Sequence, residues 1–214
     1  MPEPIFSDQR WRMRLYLQSE AILARYHWRG RHRIRMLIAR TILSDHHYFQ
    51  TDYAGSLRLW VCPRHVLGRI IAQRGAYERY TCALIQHFVQ RGYAFIDVGA
   101  NIGTHTVVAA KARTDPGAQR IAAFEPSPVT CQILRRNCQL NDQTDVQCVL
   151  AAVSDHAGQG ILLRSTNNDP ALMMTVEGTL APESSAGDTC VYVSLDDFCA
   201  ETGWTEPTIV KIDV

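Results

Sequence analysis

The sequence has few features of a membrane-spanning, secreted or metal-binding protein. No apolar run approaches the roughly 20 residues that a membrane-spanning helix needs. Arginines interrupt every apolar stretch before Ala54, which argues against a signal-peptide core. The seven cysteines are scattered, odd in number and without a CxxC pair. This pattern is neither a disulfide framework nor a zinc site, and we predict no metal site. It is typical of the reducing cytosol, so we expect a cytoplasmic protein.

Net charge is nearly absent as well, at +1 for 214 residues, but the two halves of the chain differ. Residues 1–94 carry 15 arginines against 6 acidic residues, a balance of +9. Residues 95–214 carry 7 basic and 15 acidic residues, a balance of −8. Such a split indicates two segments with different surfaces. We interpret the basic half as a solvated helical surface, with peripheral membrane or nucleic-acid contact as alternatives.

The hydrophobic fraction of 46% suits one medium-sized domain with a small appendage. Residues 1–50 are predicted to be a basic helical segment, since Ile34, Leu37, Ile38 and Ile42 follow helical spacing. Residues 51–92 are predicted to form a short hairpin and then a helix that leads into the core. This helix follows Glu78, and the expected buried residues are Tyr80, Leu84, Ile85, Phe88 and Val89.

Residues 93–214 alternate between short apolar runs and helical segments of 10–15 residues, which indicates an α/β fold with a parallel, helix-covered sheet. The pattern predicts helices over Gly103–Arg113, from Ser127-Pro128 onward, and over Leu195–Ala200. The predicted parallel strands are Tyr93–Val98, Arg120–Phe124, Val146–Val153 and Thr208–Val214. Ile161–Leu163 is expected to be an antiparallel addition, between polar loops that include Arg164–Pro170 and Pro182–Asp188.

A glycine-bearing turn follows the first of these strands. Gly99 and Gly103 let the backbone approach a ligand closely, and the helix that follows begins with N–H groups that have no intrahelical acceptor. Asp97 adds a carboxylate at the end of the strand. A carboxylate repels a pyrophosphate but attracts an ammonium group, so the turn favours an amino acid-like ligand over a nicotinamide cofactor.

Glu125 ends the second strand, 28 residues after Asp97. In open parallel sheets an acid at this position accepts hydrogen bonds from the two ribose hydroxyls. Pro126 then stiffens the exit of the chain. A nucleoside site beside an amino-acid site predicts S-adenosylmethionine as the cofactor.

Several motifs in this region resemble the FkbM-type S-adenosylmethionine-dependent methyltransferases. Gly75-Ala76-Tyr77-Glu78 resembles the G-x-Y-E that precedes the first motif of that family. The resemblance covers roughly residues 75–214. The other motifs are FIDVGANIG (Phe95–Gly103), AFEPSP (Ala123–Pro128), NCQLN (Asn137–Asn141), SLDDF (Ser194–Phe198) and IVKIDV at the C-terminus.

The resemblance implies a Rossmann-like methyltransferase domain and a role for individual residues. Asp97, Gly99, Asn101 and Gly103 correspond to the loop that holds the methionine part of the cofactor. Glu125 corresponds to the ribose-binding acid and is followed by Pro126. The stretch Leu150–Val153, which follows the third strand and includes Ala151, corresponds to the adenine contact. Asp213, at the end of the fourth strand, is the candidate catalytic residue that orients the acceptor or takes its proton.

The family pattern continues after KIDV with Glu-Gly-Ala-Glu and further strands, whereas this sequence stops at Val214. We therefore expect the chain to be a fragment with the first four parallel strands. The function that we favour is O-methylation of a hydroxyl on a sugar, glycan or secondary metabolite. The alternatives are a nucleic-acid methyltransferase that grips phosphates with its basic N-terminus, and a non-catalytic binding module. A nicotinamide-dependent oxidoreductase is disfavoured because GxGxxG is absent.

Overall fold

The structure is a computed structural model that describes residues 3–7, 10–25, 30, 33, 34, 37, 46–164, 173–177 and 187–213. The chain divides into two compact units, Met1–Tyr77 and Glu78–Val214. The three segments expected from the sequence, 1–50, 51–92 and 93–214, stay a prediction, and the second of them crosses the boundary between the two units. Among the described residues, no helix has the length and apolar character to cross a bilayer.

In its described residues, the first unit combines a three-stranded sheet with the two helices named below. Its elements are β1 (Ile5–Phe6), α1 (Arg10–Arg25), β2 (His47–Tyr53), β3 (Leu57–Val61) and α2 (Val66–Arg74). The predicted hairpin is confirmed, because β2 and β3 pair antiparallel with Phe49 opposite Val61. Met13 and Tyr16 of α1 pack with Phe49. Of the predicted helix over Ile34–Ile42, only Ile34 and Leu37 are described, and both are exposed. The remainder lies outside the described residues.

The second unit contains a four-stranded parallel sheet. Its strands are β4 (Ala94–Val98), β5 (Ile121–Phe124), β6 (Gln147–Val149) and β11 (Thr208–Ile212), in the order β11-β4-β5-β6. Its helices are α3 (Arg79–Val89), α4 (Thr104–Ala112), α5 (Pro128–Leu140) and α6 (Leu195–Thr202). This is the predicted α/β, Rossmann-like architecture. The strand order reverses at β4, since β5 and β6 extend to one side and β11 lies on the other.

The ends of α5 follow from its sequence. The Ser127 hydroxyl accepts a hydrogen bond from the Thr130 N–H, and Pro128 takes the first helical position. In α3, Ile85 and Val89 are buried as predicted, but Tyr80 is 94% exposed and Leu84 is 59% exposed. The expectation for these two residues was wrong because the buried stripe instead runs from Cys82 through Ile85 to Val89, at spacings of three and four.

The predicted single strand Val146–Val153 is wrong. The chain leaves the parallel sheet after Val149 and joins a second sheet at β7 (Ala152–Val153), which pairs with β10 (Gly187–Val193). The second sheet has the order β7-β10-β8-β9, where β8 is Gly158–Arg164 and β9 is Met173–Glu177. The expected antiparallel addition at Ile161–Leu163 is confirmed within β8. The last two residues of the predicted polar loop Pro182–Asp188 are not in a loop, because β10 begins at Gly187.

Candidate functional site

The candidate site lies at the carboxyl ends of β4 and β11, where the strand order reverses. Ligands of open parallel sheets bind in the crevice at this point. The register places Lys211 opposite Asp97 and Ile212 opposite Val98. The strand ends therefore bring together the acid of the glycine motif and the C-terminal motif, which are more than a hundred residues apart in sequence.

Asp97 is fully buried, and its two oxygens have different surroundings. Oδ2 accepts a hydrogen bond of 2.7 Å from the Thr106 hydroxyl on α4. Oδ1 lies 3.2 Å from the Lys211 Nζ, an ion-pair distance, but accepts no hydrogen bond of good geometry from any residue that the structure describes. A buried carboxylate oxygen without such a bond has a strong tendency to accept one. Asp97 Oδ1 is thus suited to an N–H donor of a ligand.

Lys211 is the site residue that the sequence reasoning missed. Its side chain is 13% exposed. Besides Asp97, the Nζ lies 3.5 Å from the Asp213 Oδ2 and 3.3 Å from the Gly99 carbonyl oxygen. The signal was present, since Lys211 stands inside the IVKIDV motif and the chain has only one other lysine, Lys111.

The glycines of the turn are required by the packing of the chain itself. Gly99 has φ +70°, and a Cβ there would lie 2.0 Å from the carbonyl oxygen of Asp213. Gly103 has φ +89°, and a Cβ there would lie 2.5 Å from the Leu134 Cδ1. The close approach that the sequence assigned to a ligand is therefore made by Asp213, directly after β11, and by Leu134 of α5.

The backbone N–H groups of the turn, residues 99–103, all have acceptors within the chain. Those of Gly99 and Ala100 both donate to the Phe124 carbonyl. The Asn101 N–H donates to the Glu125 Oε2, and the Ile102 N–H donates to the Asn101 Oδ1. The Gly103 N–H donates to the Ala100 carbonyl. The turn is consequently a self-contained structure, not an open cradle of N–H donors.

Asn101 and Asn137 hold this turn in shape. Asn101 adopts a left-handed φ of +52°, a conformation that asparagine tolerates better than most residues. Asn137, fully buried on α5, donates a 2.7 Å hydrogen bond from its Nδ2 to the carbonyl of Ile102. The NCQLN motif therefore contributes a brace that connects α5 to the turn.

Glu125 is buried at the end of β5 and connects two backbone segments. Its Oε2 accepts the Asn101 N–H at 2.9 Å, and its Oε1 accepts the Ser127 N–H at 3.0 Å. Burial raises the pKa of Glu125 to about 7, although both hydrogen bonds act in the opposite direction. Each carboxylate oxygen retains a second lone pair for a ligand hydroxyl.

His105 and Glu78 form a second polar contact near the site. The His105 Nε2 lies 3.3 Å from the Glu78 Oε2, and the imidazole is almost fully buried. Burial lowers the pKa of His105 despite the opposing influence of Asp97. Glu78 has a left-handed φ of +42°, which is uncommon for a non-glycine residue.

The remaining predicted residues lie at the same edge of the sheet but at different distances from its centre. Asp213 follows β11, and its side chain is 63% exposed. Pro126 is half-buried directly after Glu125. Ala151 is buried just after β6, which β5 separates from β4. Asp97, Gly99 and Asp213 are thus in direct proximity, whereas Ala151 lies at the far side.

The sequence profile described as Methyltransferase FkbM domain matches residues 97–214, more than half of the chain. The chain belongs to the FkbM methyltransferase family. S-adenosylmethionine is the methyl donor of this family of enzymes, as the sequence motifs predicted. No curated protein sequence matches the chain.

Comparisons with solved structures give partial similarities. A SAM-dependent methyltransferase from Agrobacterium tumefaciens has 11% identity and a TM-score of 0.37, over 49% of this chain and 32% of that one. An aTrm5–tRNALeu complex has 21% identity and a TM-score of 0.35, over 49% and 28%. An O-methyltransferase from Bacillus cereus in complex with SAH has 20% identity and a TM-score of 0.30, over 33% and 32%. The chain thus spans about a third of the length of each.

The residues of this FkbM-family site fit the cofactor. S-adenosylmethionine carries an ammonium, a sulfonium, a carboxylate and a ribose diol. Asp97 Oδ1 is a buried acceptor suited to the ammonium, and Glu125 is an acceptor suited to the diol. The carboxylates of Glu78, Asp97 and Asp213 outnumber the one lysine, and this negative balance suits a ligand of net positive charge.

Proposed function

We propose that this protein transfers the methyl group of S-adenosylmethionine to a hydroxyl oxygen of a sugar, glycan or secondary metabolite. One observation carries the cofactor part of the proposal. A buried Asp97, whose Oδ1 accepts no good hydrogen bond from the described residues, stands beside a Glu125 that shares the glycine turn. These are acceptors for the ammonium and for the ribose of one ligand.

The cofactor supplies an electrophilic methyl group, and the protein supplies position. Methyl transfer is an in-line displacement. Holding the acceptor oxygen in line with the methyl group and its leaving sulfur therefore provides most of the acceleration. Glu125 holds the ribose, and Asp97 holds the ammonium. Asn101, Gly99 and Gly103 shape the turn between them. Pro126 stiffens the exit of the chain after Glu125, and Ala151 borders the adenine.

Asp213 is the proposed catalytic residue. Its carboxylate is the most exposed of the acids at this edge, so an acceptor can reach it. Its backbone is fixed, because its N–H donates to the Val98 carbonyl and its own carbonyl packs against Gly99. A carboxylate held in this way can orient an acceptor hydroxyl and take its proton as the oxygen attacks.

The cofactor site is tested by Glu125→Ala. Because it removes hydrogen bonds to a charged acceptor, the variant should weaken S-adenosylmethionine binding by about 1.5–3 kcal/mol, measured by titration calorimetry. Glu201→Ala is the control, since Glu201 is an exposed acid on α6. Equal affinity in both variants would remove Glu125 from the site. A preference of the wild-type chain for NAD would overturn the proposal.

The acceptor is tested by transfer of a radiolabelled methyl group. We expect label in sugars, glycans or other hydroxyl-bearing metabolites, and its loss in Asp213→Asn. Bulk tRNA serves as the competing acceptor. Label in tRNA alone would replace the small-molecule interpretation with the nucleic-acid one.

A further inference from the structure

Lys211 is a largely buried cation at the centre of the site. Its Nζ lies between the Asp97 Oδ1, the Asp213 Oδ2 and the Gly99 carbonyl oxygen, at 3.2, 3.5 and 3.3 Å. Strong charge-assisted N–H···O bonds measure about 2.7–2.9 Å. Lys211 is therefore surrounded by acceptors but held tightly by none of them.

The amino-acid end of S-adenosylmethionine is a zwitterion, and its carboxylate needs hydrogen-bond donors. The backbone N–H groups of the turn, residues 99–103, donate to acceptors within the chain. A carboxylate could recruit them only by displacing the Phe124 carbonyl, the Glu125 carboxylate, the Asn101 side chain or the Ala100 carbonyl. The donor for the carboxylate must therefore come from elsewhere at this edge.

We propose that Lys211 binds the carboxylate of the cofactor, so that Asp97 and Lys211 together form a receptor for a zwitterionic α-amino acid. This inference rests on the proposed function. The pair presents opposite charges 3.2 Å apart at the ends of adjacent strands. That arrangement is complementary to an ammonium and a carboxylate on one carbon atom.

Lys211 can release one of its present partners to make this contact. The side chain of Asp213 is 63% exposed, and its 3.5 Å contact with the Nζ is the longest of the three. Solvent can replace the lysine at Asp213 with little loss, because exposed ion pairs contribute weakly. Asp97 is fully buried and retains its lysine. Ligand binding thus redirects one of the three N–H groups of the Lys211 ammonium and leaves the buried ion pair between Asp97 and Lys211 in place.

Ligand pairs test the proposal directly. S-adenosylmethionine and its decarboxylated analogue share the sulfonium, the ammonium and the nucleoside, and they differ only in the carboxylate. We expect Lys211→Met to lower the affinity for S-adenosylmethionine at least tenfold in titration calorimetry. The affinity for the decarboxylated analogue should stay constant or rise, since removal of Lys211 leaves Asp97 more attractive to an ammonium. Lys211→Arg retains the charge and should retain most of the affinity for S-adenosylmethionine.

The other lysine provides a matched control. Lys111 is exposed on α4, so Lys111→Met removes the same charge away from the site and should alter neither affinity. An equal loss for both ligands in Lys211→Met would mean that Lys211 only neutralises Asp97, and this result would overturn the inference. Unchanged affinity for both ligands would overturn it as well. If the wild-type chain bound neither ligand, the proposed function itself would fail.

Discussion

The two ends of the parallel sheet both carry charged clusters, but the clusters are built differently. At the amino end, Arg120 binds Glu206 through two hydrogen bonds of 2.7 and 2.5 Å. Its guanidinium also donates to the carbonyls of Thr202 and Gly203 and lies 4.6 Å from the ring centre of Trp204. At the carboxyl end, the contacts of Lys211 with described residues measure 3.2–3.5 Å.

The difference separates a structural cluster from a binding cluster. Arg120 connects the start of β5 to the segment between α6 and β11. Because its two hydrogen bonds to Glu206 are short and bidentate, neither group needs a further partner from a ligand. At the carboxyl end, and among the residues that the structure describes, Asp97 Oδ1 accepts no hydrogen bond of good geometry and the Lys211 Nζ has no partner closer than 3.2 Å. A ligand that supplies the missing partners is bound more strongly there than water would be.

Substitution of one glycine at each end should give the largest contrast. Gly99→Ala places a Cβ 2.0 Å from the Asp213 carbonyl oxygen, at a φ of +70°. Because a backbone atom has to move, we expect a loss of about 4 kcal/mol or more in the free energy of unfolding. Gly203→Ala has a similar φ of +61°, and no atom of the described part of the chain lies within 4 Å of the added Cβ, so it should cost only about 1 kcal/mol. Denaturant titration compares them, and equal losses would contradict the role assigned to the Asp213 carbonyl.

The two ends should also differ in how pH affects stability. Burial raises the pKa of Glu125 to about 7 from its ordinary 4.5, so the folded state binds more protons than the unfolded state between these values. Its contribution to stability is therefore complete below pH 4.5 and is lost as pH rises to about 7, by on the order of 3 kcal/mol. The hydrogen bond from Arg120 lowers the pKa of Glu206, whose contribution is lost as pH falls through that lowered pKa.

Denaturant titrations of wild type and Glu125→Gln at pH 5 and pH 8 measure the first effect. The glutamine side chain does not titrate, so the variant should lack the loss seen in the wild type. Glu206→Gln serves as the control and should show the same loss of stability between pH 5 and pH 8 as the wild type. If the wild type and Glu125→Gln differed by the same amount at both pH values, the raised pKa of Glu125 would be contradicted.

Removal of the Arg120 side chain should change the free energy of unfolding less than Gly99→Ala or the titration of Glu125. Arg120→Met keeps part of the contact with Trp204 but removes the partly exposed ion pair, so we expect a loss of about 1–2 kcal/mol in the free energy of unfolding. The affinity for S-adenosylmethionine should not change, because the cluster lies at the opposite end of the sheet. A tenfold loss of affinity at unchanged stability would contradict the division into a structural and a binding cluster.

The sequence predicts the parallel sheet because its signals are local. The apolar runs of β4 and β5 and the capping pair Ser127-Pro128 each depend on neighbouring residues. The break between β6 and β7 was not predictable in this way. Residues 146–153 are uniformly strand-like, and only their pairing with two different sheets divides them.

The sequence also identifies the acids at the strand ends but not their partners. Asp97 and Glu125 stand out because each follows an apolar run. Lys211 is distant in sequence and becomes visible as a site residue only once β11 lies beside β4. Likewise, Gly99 was attributed to a ligand because nothing local shows that the Asp213 carbonyl lies against it. Long-range packing, not residue type, decides these assignments.

The hydrogen-bonded turn at residues 99–103 also has a thermodynamic consequence. A loop that orders on binding loses backbone entropy, at about 1–2 kcal/mol per residue. Here the N–H groups are already held by Phe124, Glu125 and the turn itself, and Asn137 fixes the Ile102 carbonyl. The ordering was completed when the chain folded. A ligand at this edge therefore encounters a rigid surface, and its affinity is not reduced by the entropy of arranging the turn.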